Sequence, residues 1–201
     1  MNDKVRVYYD AEFTSLTPDA DLISIGLVSE NGNHFYAEFT DYDEDKLSPW
    51  IIENVINNLV FRNTMFNKYK CISNDNDVHV KGTASDIKSL LLDWLKKEAG
   101  DKQVQIYCDC YAYDWMLFNM LVCDEGNALN IPDFIYYIPM DLSTVFQIYL
   151  IDPDITREEY IPSDLLDKCK EIFPFDASDG IKHNSLWDAY VCAMCFHQLK
   201  V

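Results

Sequence analysis

Apolar and polar residues alternate along "VRVYYDAEF". Val5, Val7, Tyr9, Ala11 and Phe13 share one side, Asp10 and Glu12 the other, which predicts a strand facing a core. Two further strands are predicted over Leu22 to Ser29 and His34 to Phe39, joined at Asn31-Gly32, a dipeptide suited to a tight antiparallel turn. In "LSPWIIENVINNL" the pattern changes to helical spacing, with Ser48 as N-cap and Pro49 at the first helical position. Residues 62–82 carry no dominant period and read as loop. "TASDIKSLLLDWLKKEAG" has Ile87, Leu90, Leu91, Trp94 and Leu95 on one helical face and Gly100 past its end. A strand over "VQIYCD", a helix over residues 112–122, a fifth strand over "FIYYI" and helices over "DLSTVFQIYL", "SDLLDKCKEIF" and "HNSLWDAYVCAMCFHQL" complete the chain.

Three antiparallel strands followed by alternating helices and strands predict an α/β fold, a mixed five-stranded sheet flanked by helices. The 201 residues suit one domain, residues 1–201, with a substantial core. No apolar run is long enough to cross a membrane and "MNDKVRVYYD" does not read as a signal peptide, so the expected location is cytoplasmic.

Charge narrows the function. A net charge of −18 argues against loose binding along polyanions, so any contact with nucleic acid must be local. "RNTMFNKYK" mixes Arg62, Lys68 and Lys70 with Phe66 and Tyr69, a composition that suits a single strand or an ordinary solvated loop. Seven cysteines without framework spacing read as reduced thiols. Cys108/Cys110 and Cys192/Cys195 near His197 invite a zinc reading, but Cys192 and Cys195 fall within an apolar helical pattern and read better as core residues.

The adjacent acids Asp10 and Glu12 repel each other unless a cation lies between them. Hard Mg²⁺ or Mn²⁺ prefers such oxygen ligands, and a pair of these ions suits phosphodiester hydrolysis. "YYDAEFTSL", "YAYDWMLF" and "HNSLWDA" resemble, in order, the three motifs of the DEDDh 3′–5′ exonucleases of the ribonuclease-H-like superfamily. Within it the chain is most similar to the small exoribonuclease-like branch of the ribonuclease T group. The resemblance implies two divalent cations held by Asp10, Glu12, Asp114 and Asp188, with His183 as general base. Asp114 matches the aromatic-Asp pattern of the second motif, and Asp109 remains an alternative. Phe13 and Thr14 are candidate substrate contacts, Phe13 being equally readable as core. His34, His79 and His197 read as structural or exposed, and Asp141 as a helix cap.

The implied activity is hydrolysis from the 3′ end of short or single-stranded nucleic acid, RNA before DNA, releasing nucleoside monophosphates. A homodimer is a further implication that no sequence feature establishes. A noncatalytic binding module is the alternative, disfavoured by competent residues at all five positions. A glycosidase acid/base pair is a third reading, for which the chain is short of the familiar barrel scaffold.

Overall fold

Strand β1 (Lys4–Phe13) is the axis of the molecule: Val5, Val7, Tyr9 and Ala11 are buried on one side, and Tyr8 with the two acids faces the other. The computed structural model describes residues 4–62, 70–74, 76–109, 111–175 and 182–199. β1 pairs antiparallel with β2 (Leu22–Ser29), which pairs antiparallel with β3 (His34–Phe39). On its other side β1 runs parallel to β6 (Gln103–Cys108), and β6 to the two-residue β7 (Met140–Asp141). β4 (Lys70–Ser73) and β5 (Val78–Gly82) extend the opposite edge, giving the order β4-β5-β3-β2-β1-β6-β7.

The mixed, helix-flanked sheet with an antiparallel opening is as expected and consistent with a ribonuclease-H-like fold. Its size differs, with seven strands among the described residues rather than five. The hairpin β4–β5 lies where a loop was expected, because strands of four and five residues are too short to establish a period. Conversely, "FIYYI" forms no strand. Ile135 makes a single bridge to Val104, and Pro139 lacks the N–H a ladder would need next.

Helices cover both faces. α1 (Pro49–Asn54) opens on the Ser48 cap and packs Ile51 and Val55 against Ile23. α2 (Ala84–Ala99) and α3 (Tyr111–Val122) cover the Val5–Ala11 side, through Ile87, Leu91, Leu95 and Phe118. The other face is covered by α4 (Leu142–Ile148), α6 (Ser163–Ile172) and α7 (Ser185–Leu199), with the short α5 (Arg157–Tyr160) unforeseen. Asp141 caps α4 by accepting from the Thr144 N–H at 2.8 Å. No helix among the described residues is long and apolar enough to cross a membrane.

Candidate active site

At the C-terminal end of β1, Asp10 lies opposite Gly26 and Glu12 opposite Ser24, both acids turned toward the start of α7. There Asn184 caps the helix, its Oδ1 accepting from the N–H groups of Leu186 at 3.2 Å and Trp187 at 3.4 Å. The cap places Asp188 in the first turn and sets His183 just before it, at φ 65°. The His183 N–H donates to Asp188 Oδ2 at 3.0 Å, and His183 Nδ1 lies 3.9 Å from Glu12 Oε1. Ligand atoms of Glu12, His183 and Asp188 all fall within 4.8 Å of one another. These residues line a pocket of about 490 Å³ together with Asp10, Asp114 and Asp109.

The second motif places its two acids differently. Asp114 is buried in the first turn of α3. Asp109, just beyond β6, receives Arg157 Nε at 2.7 Å and Nη2 at 2.5 Å. Arg157 also donates to Ser143 Oγ and to the carbonyls of Pro153 and Ile155, so Asp109 anchors the loop that forms one wall.

Electrostatics separate this cluster from ordinary surface acids. Burial, then repulsion from Asp114, Asp188 and Glu12, holds the Asp10 carboxyl well above the usual range. Burial pushes Glu12 up to about 8. Asp188 is raised by burial, then by Glu12 and Glu158, against the favourable His183 N–H. His183 is shifted the other way, lowered by burial and by the Lys182 charge despite Glu158, which favours the neutral imidazole. Crowded carboxylates whose ionised forms are disfavoured in the absence of a cation form a hard-oxygen donor set that fits Mg²⁺ or Mn²⁺.

The flanking candidates divide. Phe13 lines the pocket and stacks on Tyr113, ring centroids 5.8 Å apart, although it also packs on the core. A register shift between Glu12 and Phe13 interrupts the regular ladder with β2 at this point. Thr14 does not line the pocket. Its buried Oγ1 accepts from the Asp21 N–H at 3.0 Å. Four further residues were missed by sequence reasoning: Arg157, Glu158 and Lys182, which line the pocket, and Trp50, whose half-exposed ring meets His183 edge-on at 5.1 Å. The helical pattern predicted α1 but not which loop Trp50 would touch.

Among the described residues the only metal-compatible cluster is that of Glu12, His183 and Asp188. Cys108, Cys192 and Cys195 are buried core residues and His197 is exposed, while Cys110 lies outside the described residues. So do residues 63–69 of the basic-aromatic stretch. His34 and His79 pack against each other away from the pocket.

Clustered acids and one histidine thus share a pocket at the strand ends of a mixed sheet. The family model described as the 3′-5′ exoribonuclease Rv2179c-like domain matches residues 5–200, and the chain belongs to that family. It is similar to two curated relatives from Mycobacterium tuberculosis, the 3′-5′ exoribonuclease MT2234.1 of strain CDC 1551 / Oshkosh and the 3′-5′ exoribonuclease Rv2179c of strain ATCC 25618 / H37Rv. Each is 36% identical over 52 residues, which is 26% of this chain and 31% of the relative. The match thus spans about a third of the length of each relative.

Proposed function

We propose that the protein is a divalent-cation-dependent 3′–5′ exoribonuclease of the DEDDh type, removing nucleoside 5′-monophosphates from the 3′ ends of short or single-stranded RNA. The observation that carries this reading is the meeting of Asp10, Glu12, Asp114, His183 and Asp188 in one pocket, although they come from three separate stretches of the chain. Family membership supports the reaction class and RNA as substrate.

Asp10, Glu12 and Asp188 would hold one cation, and Asp10 with Asp114 a second. Asp114, which matches the aromatic-Asp pattern of the second motif, is preferred to Asp109, whose carboxylate is bound by Arg157. Bound cations would supply charge neutralisation at the phosphate and a lower pKa for the attacking water. His183, kept neutral by its surroundings, takes the proton from that water. As the water oxygen bonds to phosphorus, the bond from phosphorus to the penultimate 3′ oxygen breaks. The shortened strand keeps that oxygen as its new 3′ hydroxyl, and the released nucleotide keeps the 5′ phosphate. Phe13 and Tyr113 offer ring surface beside the acids for a terminal base, a contact that needs no particular sequence. The excess of acid over base in the whole chain restricts the grip to the strand end.

The test is a 5′-labelled oligoribonucleotide incubated with the protein and Mg²⁺ or Mn²⁺. A ladder of products shortened from the 3′ end is expected, abolished by Asp10→Asn. No shortening with either metal, on RNA and on DNA, overturns the reading.

A further inference from the structure

Carboxylates dominate the pocket wall. Besides the proposed cation ligands it carries Asp154 and Glu158, so a phosphodiester strand approaches a surface of its own sign. Two cations line the same pocket among the described residues, Arg157 and Lys182. Arg157 is committed: Nε and Nη2 go to Asp109, Nη2 also to Ser143, and Nη1 to the carbonyls of Pro153 and Ile155. Its guanidinium holds the wall together and has little left to offer a ligand.

Lys182 is in the opposite situation. Its side chain is exposed at the pocket, while its backbone is fixed: Asn58 Nδ2 donates to the Lys182 carbonyl at 2.7 Å. Two residues on, Asn184 Nδ2 donates to the Asn58 carbonyl at 3.0 Å. One asparagine thus clasps the chain on both sides of His183, presenting the Lys182 ammonium beside the histidine. The ammonium lies close enough for its field to lower the pKa of both His183 and Asp188.

We infer that Lys182 is a substrate-binding residue whose ammonium takes a nonbridging phosphate oxygen of the strand being shortened, the one lining cation left free to do so among the described residues. An ammonium serves this purpose as a compact point charge that follows the phosphate without requiring a planar fork. The inference rests on the exonuclease reading and assigns to it the contact that holds the polyanion in an acidic pocket. A grip by one lysine also gives a numerical signature, since each phosphate neutralised on a single strand contributes about 0.7 to the slope of log affinity against log salt.

The experiment compares wild type, Lys182→Gln and Lys182→Arg on one short 5′-labelled oligoribonucleotide, with KM and kcat measured at KCl concentrations from about 50 to 200 mM. Lys182→Gln should raise KM about tenfold at the lowest salt, as expected for loss of one charge-assisted hydrogen bond. It should change kcat much less and flatten the salt dependence of log KM by about 0.7. Lys182→Arg should restore most of both effects. Unchanged KM and slope in Lys182→Gln, with wild type active, overturn the role of Lys182 and leave the exonuclease reading intact. Should wild type not cleave at all, fluorescence anisotropy with a phosphorothioate oligonucleotide decides separately. Weaker, less salt-dependent binding by Lys182→Gln supports the phosphate contact without the chemistry, and equal binding, or none by any of the three proteins, overturns it.

Discussion

Gly26 and Leu186 meet backbone to backbone: a Cβ on Gly26 would stand 2.3 Å from both the amide nitrogen and the Cα of Leu186. Only glycine leaves room there, and the contact sits beside the acids, since Gly26 is also the β2 residue opposite Asp10. The closeness of α7 to the sheet is what brings Asp188 and His183 to the end of β1. Ser24 and Ser185 hold the same junction with hydroxyls 3.0 Å apart.

Gly26→Ala should therefore force α7 off the sheet. Overpacking of this kind costs about 1–3 kcal/mol, and a clash with helix backbone belongs at the upper end or beyond. Thermal denaturation should show the lower Tm. The proposed nuclease activity should be nearly lost even well below that temperature, because two candidate site residues move with the helix. A variant with wild-type Tm and rate would show that α7 does not rest on Gly26.

Asp114 and Asp109 should separate by phenotype. Asp114→Asn removes a proposed cation ligand and should cut kcat by at least about a hundredfold. Asp109→Asn leaves Arg157 without its carboxylate, so stability should fall by about 1–3 kcal/mol while activity at low temperature survives in part. Chemical denaturation paired with single-turnover cleavage reads both effects. The reverse pattern would move the ligand role to Asp109.

Cation-free protein should lose stability as pH rises. The folded-state pKa values of Asp10, Glu12 and Asp188 lie above their unfolded values, so between about pH 4.5 and 8 the folded state binds more protons than the unfolded state. Excess protons on the folded side mean that this contribution weakens steadily across that window, through the value of about 8 for Glu12. Millimolar Mn²⁺ or Mg²⁺ should raise Tm, and more at pH 8 than at pH 6, since deprotonated ligands bind better. Differential scanning fluorimetry with and without EDTA tests this. A Tm indifferent to both metals at pH 8 would count against the cation site.

What the sequence made legible follows from range. Asp10 and Glu12 stand out because alternation along nine residues assigns them to one side of a strand, and His183 and Asp188 because their spacing of five belongs to a recognisable motif. Trp50, Arg157, Glu158 and Lys182 come to the site through tertiary packing, and nothing local marks them. Gly26 looks like any glycine in a strand until the helix above it is placed. The apolar run "FIYYI" misled for the opposite reason. Its local propensity is that of a strand, yet the Ile135 N–H turns back to Pro132, and Tyr137 and Ile138 end exposed.

A second pH effect, of opposite sign, resides far from the acids. His34 and His79 meet head to head, Nε2 to Nε2 at 2.6 Å with ring centroids 4.9 Å apart and planes within 20°, a geometry that holds one proton between the two nitrogens. At its far side His34 Nδ1 lies 3.3 Å from Asp77 and 3.1 Å from the Tyr190 hydroxyl, and Phe175 packs on His79. A second proton would set two N–H groups against each other. Burial lowers the pKa of His34, and burial with the neighbouring His34 takes His79 down to about 4. Unfolded histidine titrates near 6.5, so below that pH the unfolded chain binds more protons and stability falls as acid is added, on the order of 1–3 kcal/mol by about pH 4. His79→Asn removes one partner of the shared proton. Urea denaturation at about pH 7, 6 and 5 should show the variant less stable at neutral pH but losing less than wild type on acidification. Parallel losses in the two proteins would mean that the imidazole pair does not set the acid limb.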